Sequence, residues 1–404
     1  MLPEGWQSLF LGDVFNFKNG LNGEKSLYGA GAKFVNVMDV FRGPRLRYSE
    51  IVGEMAVSPR QLTEFAVKQG DVLFNRTSET DDEIALSTVY LDTAPAVFGG
   101  FVIRARPSGN ALDQDFCVYG FQADSIRREM IRRGQGAIRS NIGQADLATV
   151  PILLPPLPEQ RKIAEILSTW DAAISAQERL IANAKRQKRA LMQTLLPTGA
   201  HPPKKRLPGF SGAWREILLG DAFTERVERG EDRLPLLSVT QANGVIPQDD
   251  AGRRNISSDD QSNYKTVRTG DIAYNTMRMW QGASALSGLT GKVSPAYTVV
   301  TPRDGHDAAF YAYLFKQRVM IHVFERHSQG LVSDTWNLKF PHFAKIRTCA
   351  PGVEEQRAIA ATLKSFDDLT FACEGQLTNL RHEKSALMQQ LLTGKRRVRV
   401  EEVV

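Results

Sequence analysis

From Ile163 onward, apolar or tolerated positions recur at alternating steps of four and three: Ile163, Leu167, Trp170, Ile174, Gln177, Ile181, Ala184, Lys188, Leu191 and Leu195. This is an a/d heptad seam, too narrow and too long for a helix lying on a separate core. A second seam runs through Ile359, Leu363, Phe366, Thr370, Cys373, Leu377, Leu380, Lys384, Leu387 and Leu391. Pro155, Pro156 and Pro158 place the first helix start, because proline tolerates a first turn but not an interior. Leu-Pro-Thr-Gly at 196–199 and Thr393-Gly394 end the two helices. Each is expected to run roughly 38 residues, about 57 Å at about 1.5 Å per residue. The simplest partner for each seam is the other copy, giving an intramolecular coiled coil. Its apolar interface would be Ile163, Leu167, Trp170, Ile174, Ile181 and Leu191 with Ile359, Leu363, Phe366, Leu377 and Leu387. The polar members Gln177, Lys188, Thr370 and Lys384 would fix register at some cost in stability.

Elsewhere the period changes. Ala32–Val40, Val72–Phe74, Ile84–Tyr90 and Phe101–Arg106 read as short strands rich in β-branched and aromatic residues, and Asp124–Arg133 reads as a helix. In the second half, Leu236–Val239, Ile272–Asn275 and Tyr297–Thr301 read as strands, and Ala308–Glu325 as one longer helix. The expected fold class is α+β: two mixed α/β globular units in tandem, each followed by a long helix.

The halves are copies. Glu159-Gln160-Arg161-Lys162-Ile163-Ala164-Glu165-Ile166-Leu167 matches Glu355-Gln356-Arg357-Ala358-Ile359-Ala360-Ala361-Thr362-Leu363 at Glu, Gln, Arg, Ile, Ala and Leu. The same spacing aligns Lys188-Arg189-Ala190-Leu191-Met192-Gln193 with Lys384-Ser385-Ala386-Leu387-Met388-Gln389. Weaker matches join Trp6 and Leu11-Gly12-Asp13 to Trp214 and Leu219-Gly220-Asp221, and Gly70-Asp71 to Gly270-Asp271. Their drifting offsets place insertions in loops. The organisation expected is 1–150 globular unit, 151–197 helical spacer, 198–346 linker and second globular unit, and 347–404 second spacer with a basic tail. The linker's Lys204-Lys205-Arg206 can meet phosphate or simply be solvated, with solvation favoured. Lys395-Arg396-Arg397 complements a helix dipole.

Composition narrows the function classes. The 404 residues carry a net charge of +6, which permits nucleic-acid binding without demonstrating it. Cys117, Cys349 and Cys373 are odd in number and widely spaced, which fits a reducing cytoplasm. No signal segment or membrane-length apolar run is visible. There is no phosphate-loop motif, no HExxH or CxxC metal spacing, no Asn-Pro-Pro-aromatic methyltransferase signature and no nuclease carboxylate–lysine cluster. His322 and His327 lack a matching ligand. Together these absences argue against an enzyme.

What remains is polar recognition chemistry. Asn75-Arg76-Thr77-Ser78 follows a strand directly, and its counterpart holds Asn275, Arg278, Trp280 and Gln281. Arg can grip guanine bidentately, and Asn or Gln can grip adenine. A second cluster precedes each long helix: Arg132, Arg133, Arg139 and Asn141 in the first copy, Arg326, Ser328 and Ser333 in the second. With Arg127 and Arg128, the first cluster is a candidate phosphate patch or, alternatively, a solvated helix face.

The layout resembles the specificity subunits of type I restriction-modification systems. The resemblance rests on Pro-Leu-Pro-Glu-Gln-Arg-Lys-Ile-Ala at 156–164, Glu-Glu-Gln-Arg-Ala-Ile-Ala at 354–360, the Ala-Leu-Met-Gln helix ends and the Gly-Asp pairs. It covers essentially the whole chain. It departs at Gly352-Val353, where the first copy has Leu157-Pro158. The resemblance implies two target-recognition domains reading the halves of a bipartite double-stranded DNA sequence. It implies an antiparallel helical spacer that docks two methyltransferase subunits, with restriction/translocase subunits added in the full complex. No cofactor is implied for this chain; S-adenosylmethionine, ATP and Mg²⁺ would belong to the partners. The globular copies have drifted further than the helices, so the two half-sites are expected to differ. A DNA-binding protein that works alone is the alternative.

Overall fold

A computed structural model describes residues 2–136, 139–229, 233–240, 244–252, 261–332 and 335–400. The chain divides into two compact units, residues 1–177 with 376–404, and residues 178–375. The first unit is thus discontinuous in sequence, and its boundary does not follow the partition read from the repeats. Each long helix, Leu157–Leu195 and Val353–Leu392, gives one end to each unit.

The first unit is built on a five-stranded sheet ordered Phe15–Asn19, Val102–Pro107, Val72–Asn75, Ser87–Tyr90 and Arg45–Leu46. Its pairings are antiparallel except the last, which is parallel. The second unit repeats the first four positions as Phe223–Glu225, Tyr297–Pro302, Ile272–Asn275 and Ser284–Leu286. In both, a strand at the start of the unit pairs antiparallel with the strand feeding the long helix: Gln7–Phe10 with Pro151–Leu154, and Arg215–Leu218 with Arg347–Ala350. The fold is α+β and duplicated, as the sequence pattern indicates.

Duplicated residues explain themselves in this frame. Asp71 is 1% exposed and takes two hydrogen bonds from Arg106, Nε at 2.8 Å and a terminal nitrogen at 2.7 Å. It also accepts from the Lys68 amide. Asp271 does the same with Arg226 and the Arg268 amide. The glycines before them sit at φ +85° and +94°, where a side chain would be strained. The Gly-Asp pairs therefore start a central strand and clamp an arginine to it.

The seam faces inward throughout. Every one of its positions, apolar or polar, is buried or half-buried on both helices. Its ends, however, are welded into the globular cores. Ile163 and Leu167 share a core with Phe116, Ile152, Leu391 and Leu392, while Ile359 and Leu363 share one with Phe310, Leu195 and Leu196. In each unit the start of one helix meets the end of the other, so the segments run antiparallel. The polar members act as expected of register devices. Gln177 donates to Gln376 at 2.9 Å. Lys384 binds Asp171, which also accepts from Tyr119 (2.7 Å) and Arg45 (3.0 Å). In the second unit Lys188 binds Asp367, which accepts from Tyr313 at 2.8 Å. Burial pushes the Asp171 carboxyl up, but hydrogen bonds from Lys384, Tyr119 and Arg45 together outweigh it and hold the group below the usual range.

Three expectations need correction. The strand expected over 32–40 stops at Val35, because Asn36 caps a short helix, Val37–Phe41, by accepting from the Met38 amide at 2.8 Å. The helix expected over 308–325 is two helices, Ala308–Leu314 and Arg318–His327. Between them Lys316 reaches the Gly282 carbonyl at 2.8 Å, tying the break to the sheet side. Finally, in the two basic runs, Arg206 departs from its solvated neighbours Lys204 and Lys205, and Arg397 takes a carboxylate partner. Arg206 forks onto Glu355 and Arg397 onto Glu159, with both carboxylates almost fully buried. Arg206 and Arg397, one from each basic run, thus tie the chain after each long helix to the unit that contains it, while Lys204, Lys205, Lys395 and Arg396 are exposed.

Candidate nucleic-acid interface

The two recognition clusters of each copy, far apart in sequence, form one surface in each unit. In the first, Thr77–Ser78 pairs antiparallel with Ser140–Asn141. The Ile142 amide donates to the Arg76 carbonyl at 3.0 Å, and Gln135 and Asn141 exchange backbone bonds at 2.8 and 2.7 Å. The second unit repeats this frame. Leu338 donates to Thr276 at 2.8 Å, and Gln329 and Asn337 exchange bonds at 2.8 Å each. The backbone is thus duplicated, while the side chains it presents are not.

In the first unit the frame presents Arg76, half-buried and without a side-chain partner among the described residues. Thr77 Oγ1 donates to Asn141 Oδ1 at 2.8 Å, and Asn141 Nδ2 donates to the Arg139 carbonyl at 3.0 Å. Arg139 is 62% exposed and only loosely paired, 3.5 Å from Glu79. Beside them lies a concavity of about 690 Å³ lined by Met38, Phe41, Phe101, Thr77, Glu79 and Arg139. Phe101 is 65% exposed and its carbonyl accepts from the Arg76 amide at 2.8 Å.

In the second unit Asn275 Oδ1 accepts from the Met277 amide at 3.0 Å, which turns the chain after its strand. The turn exposes Arg278 and Gln281, whose side chains meet at 3.3 Å. Trp280 donates Nε1 to the Met277 carbonyl at 2.9 Å and stands edge-on to Trp336, with ring centroids 5.4 Å apart. Arg326 is exposed and has no side-chain partner among the described residues.

Several sequence candidates hold the scaffold instead. Asn75 is fully buried, its Nδ2 bonded to the Thr77 carbonyl at 3.4 Å, so it shapes the loop beneath the surface. Ser78 is buried against Glu83. Arg133 is consumed by Glu129 and Thr149, and Arg127 by the carbonyls of Asp82, Ile84 and Ala85. Burial lowers the Arg127 pKa. The expected phosphate patch therefore shrinks to Arg132, which is 71% exposed and paired with Glu129, together with Arg128 and Arg139. Ser328 bonds back to the Phe324 carbonyl at 2.8 Å. Ser333 lies outside the described residues. Phe101, Met38 and Trp336 carried no signal in the sequence pattern, because three separate segments bring them to the surface. Among the described residues no group of His, Cys, Asp or Glu could hold a metal ion, and no helix is long and apolar enough to cross a membrane.

Residues 3–186 match the family model for the type I restriction modification DNA specificity domain. Over 433 residues the chain is 23% identical to the type I restriction enzyme MjaVIII specificity subunit of Methanocaldococcus jannaschii, covering 98% of this chain and 94% of that protein. Among solved structures, the HsdS subunit from Thermoanaerobacter tengcongensis superposes with a TM-score of 0.54 at 18% identity, covering 98% of each chain. A structure described as the basis of complex assembly and conformational transition of the type I R-M system superposes at 0.58 with 19% identity, covering 98% of this chain and all of that one.

Proposed function

We propose that this chain, which belongs with the type I restriction-modification specificity subunits by its domain match and full-length similarity, directs methyltransferase and restriction subunits to an asymmetric bipartite DNA target. One observation carries the asymmetry. The same backbone frame presents Arg76, Thr77 and Asn141 in one unit but Arg278, Trp280, Gln281 and Trp336 in the other. Equal frames suit one mode of docking on duplex DNA. Unlike donors, acceptors and apolar faces suit unlike base sequences. The chain itself is a non-catalytic reader. S-adenosylmethionine, ATP and Mg²⁺ serve the partner subunits, which dock on the helical segments. The free, buried thiols of Cys117, Cys349 and Cys373 suit a cytoplasmic setting.

The test is co-expression with the neighbouring methyltransferase subunit and long-read mapping of adenine methylation. The expected result is one new bipartite motif with unlike halves and a fixed gap, absent when this chain is omitted. A palindromic motif refutes the asymmetry. No new methylation despite a confirmed complex, with tight site-specific binding by the chain alone, favours a solitary DNA-binding protein.

A further inference from the structure

The central ladder of each unit ends at the same place and then presents different side chains. In the first unit Val102 pairs with Asn75, and the next step brings Phe101 opposite Arg76, whose amide donates to the Phe101 carbonyl at 2.8 Å. In the second, Tyr297 pairs with Asn275, and the next step brings Ala296 opposite Thr276, whose amide donates to the Ala296 carbonyl at 3.1 Å. Successive residues of a strand face opposite ways. Asn75 and Val102 are wholly buried, so Arg76 and Phe101 turn together to the outer side. The ring of Phe101 is 65% exposed and belongs to none of the described apolar cores. Ala296 holds the equivalent place with no ring, so the shared fold does not require one.

A second exposed apolar side chain lines the same concavity. Met38 is 63% exposed and comes from the short helix Val37–Phe41. Phe41 and Leu86 add to the apolar wall, and Thr77 and Arg139 of the recognition frame complete it, around about 690 Å³. Large apolar side chains exposed together mark a contact surface. Their surroundings select what is contacted. Glu79 and Glu83 also stand on the wall, and their carboxylates repel a phosphate. A base edge carries no net charge. In the major groove, base edges offer donors, acceptors and a single apolar group, the C5-methyl of thymine. A donor or acceptor pressed against Met38, Phe41 and Phe101 loses water and gains no partner. The methyl loses water and gains contact.

Resting on the function proposed above, we infer that Phe101 and Met38 are specificity-determining residues of the first unit, which receive the C5-methyl of a thymine beside the base that Arg76 reads. At the matching place the second unit has Ala296 and makes no such contact. The motif is first mapped by adenine methylation with the assembled methyltransferase complex. Binding of that complex is then measured on duplexes in which each thymine of the motif, on either strand, is replaced in turn by uracil. This removes the methyl and keeps the pairing. At one position in one half-site, uracil should weaken binding about fourfold, the effect of losing one buried methyl group. Phe101→Ala should weaken binding to the thymine duplex and abolish that uracil penalty, and Met38→Ala should reduce it. Penalties at all other positions should stay as they were, and melting temperatures should be unchanged, since both side chains are exposed. A motif without thymine, or one in which no uracil penalty depends on Phe101, would overturn the inference. Weaker binding of Phe101→Ala on every duplex, with permanganate reactivity showing a base step that only the unaltered complex unstacks, would overturn it in favour of an inserted ring. A lowered melting temperature with an unaltered uracil penalty would overturn it by assigning the ring to folding. An unaltered complex that methylates no motif would refute the underlying function, whereas a mapped motif indifferent to uracil refutes this inference alone.

Discussion

The Asp171 cluster makes a difference prediction between two copies of one device. Asp171 is 29% exposed and accepts from Lys384, Tyr119 and Arg45. Asp367 occupies the same place in the second unit but is 47% exposed and, among the described residues, accepts from Lys188 and Tyr313. A charge-assisted hydrogen bond contributes about 1.5–3 kcal/mol when well buried; at these exposures solvent screening reduces that to about 1 kcal/mol each. Asp171→Ala should therefore cost about 3 kcal/mol, since it also leaves Arg45 and Lys384 facing each other without the carboxylate. Asp367→Ala should cost about 1–2 kcal/mol. Because the chain has two units, one global midpoint would blur the result. Hydrogen exchange resolved by peptide separates them: Asp171→Ala should raise exchange in 162–177 and 376–390, Asp367→Ala in 178–190 and 357–375. The sign with pH is fixed by the depressed Asp171 pKa. Its stabilisation is present above the unfolded value near 3.9 and is lost as pH falls through the lower folded value. The penalty of Asp171→Asn should accordingly shrink below about pH 4. Equal costs for the two aspartates, or a penalty that grows on acidification, would refute the reasoning.

Other outcomes follow from the same geometry. Arg76→Ala should relax one half-site and Arg278→Ala the other, each by about 1–3 kcal/mol of discrimination, checked by the methylated motifs; uniform weakening on all DNA would mark a phosphate contact instead. Adding seven residues to both helices, after Gln177 and after Gly375, lengthens them by about 10 Å. If they are the ruler, the gap between half-sites should widen by about three base pairs at about 3.4 Å each, with both half-sites unchanged in the mapped motif. Asp71→Ala leaves Arg106 facing an empty site beneath the sheet and should destabilise the first unit by about 3 kcal/mol, measured by urea-induced loss of its exchange protection.

The duplication and the long helices were legible because their signals are periodic: a seam repeating over tens of residues survives local exceptions such as Lys188 and Lys384. Strand cores such as 72–74 and 272–275 were legible for a similar reason. Features set by one side chain meeting a distant backbone were not. A run of arginines on a helix looks alike whether it faces water or the carbonyls of 82–85, so Arg127 could not be told from Arg132. Asn75 looked like a reader because it follows a strand directly, but the strand runs on through it, Val72–Asn75, and is buried on both faces, so its last side chain is buried too. The Glu-Gln-Arg motif was visible as a mark of kinship, while the division of labour inside it, two residues for folding and one turned outward, needed the structure.

The discontinuity of the first unit also bears on how the chain is made. A ribosome releases residues in order, and the unit that begins first lacks Leu391, Leu392 and Arg397 until after the whole of the second unit has been made. The second unit has all its parts once residue 375 has emerged. The younger half of the chain therefore finishes folding first, and the nascent N-terminal domain waits with the helix-binding side of its core uncovered. Chaperone occupancy during translation should concentrate on that open domain and fall away only when the C-terminal tail arrives.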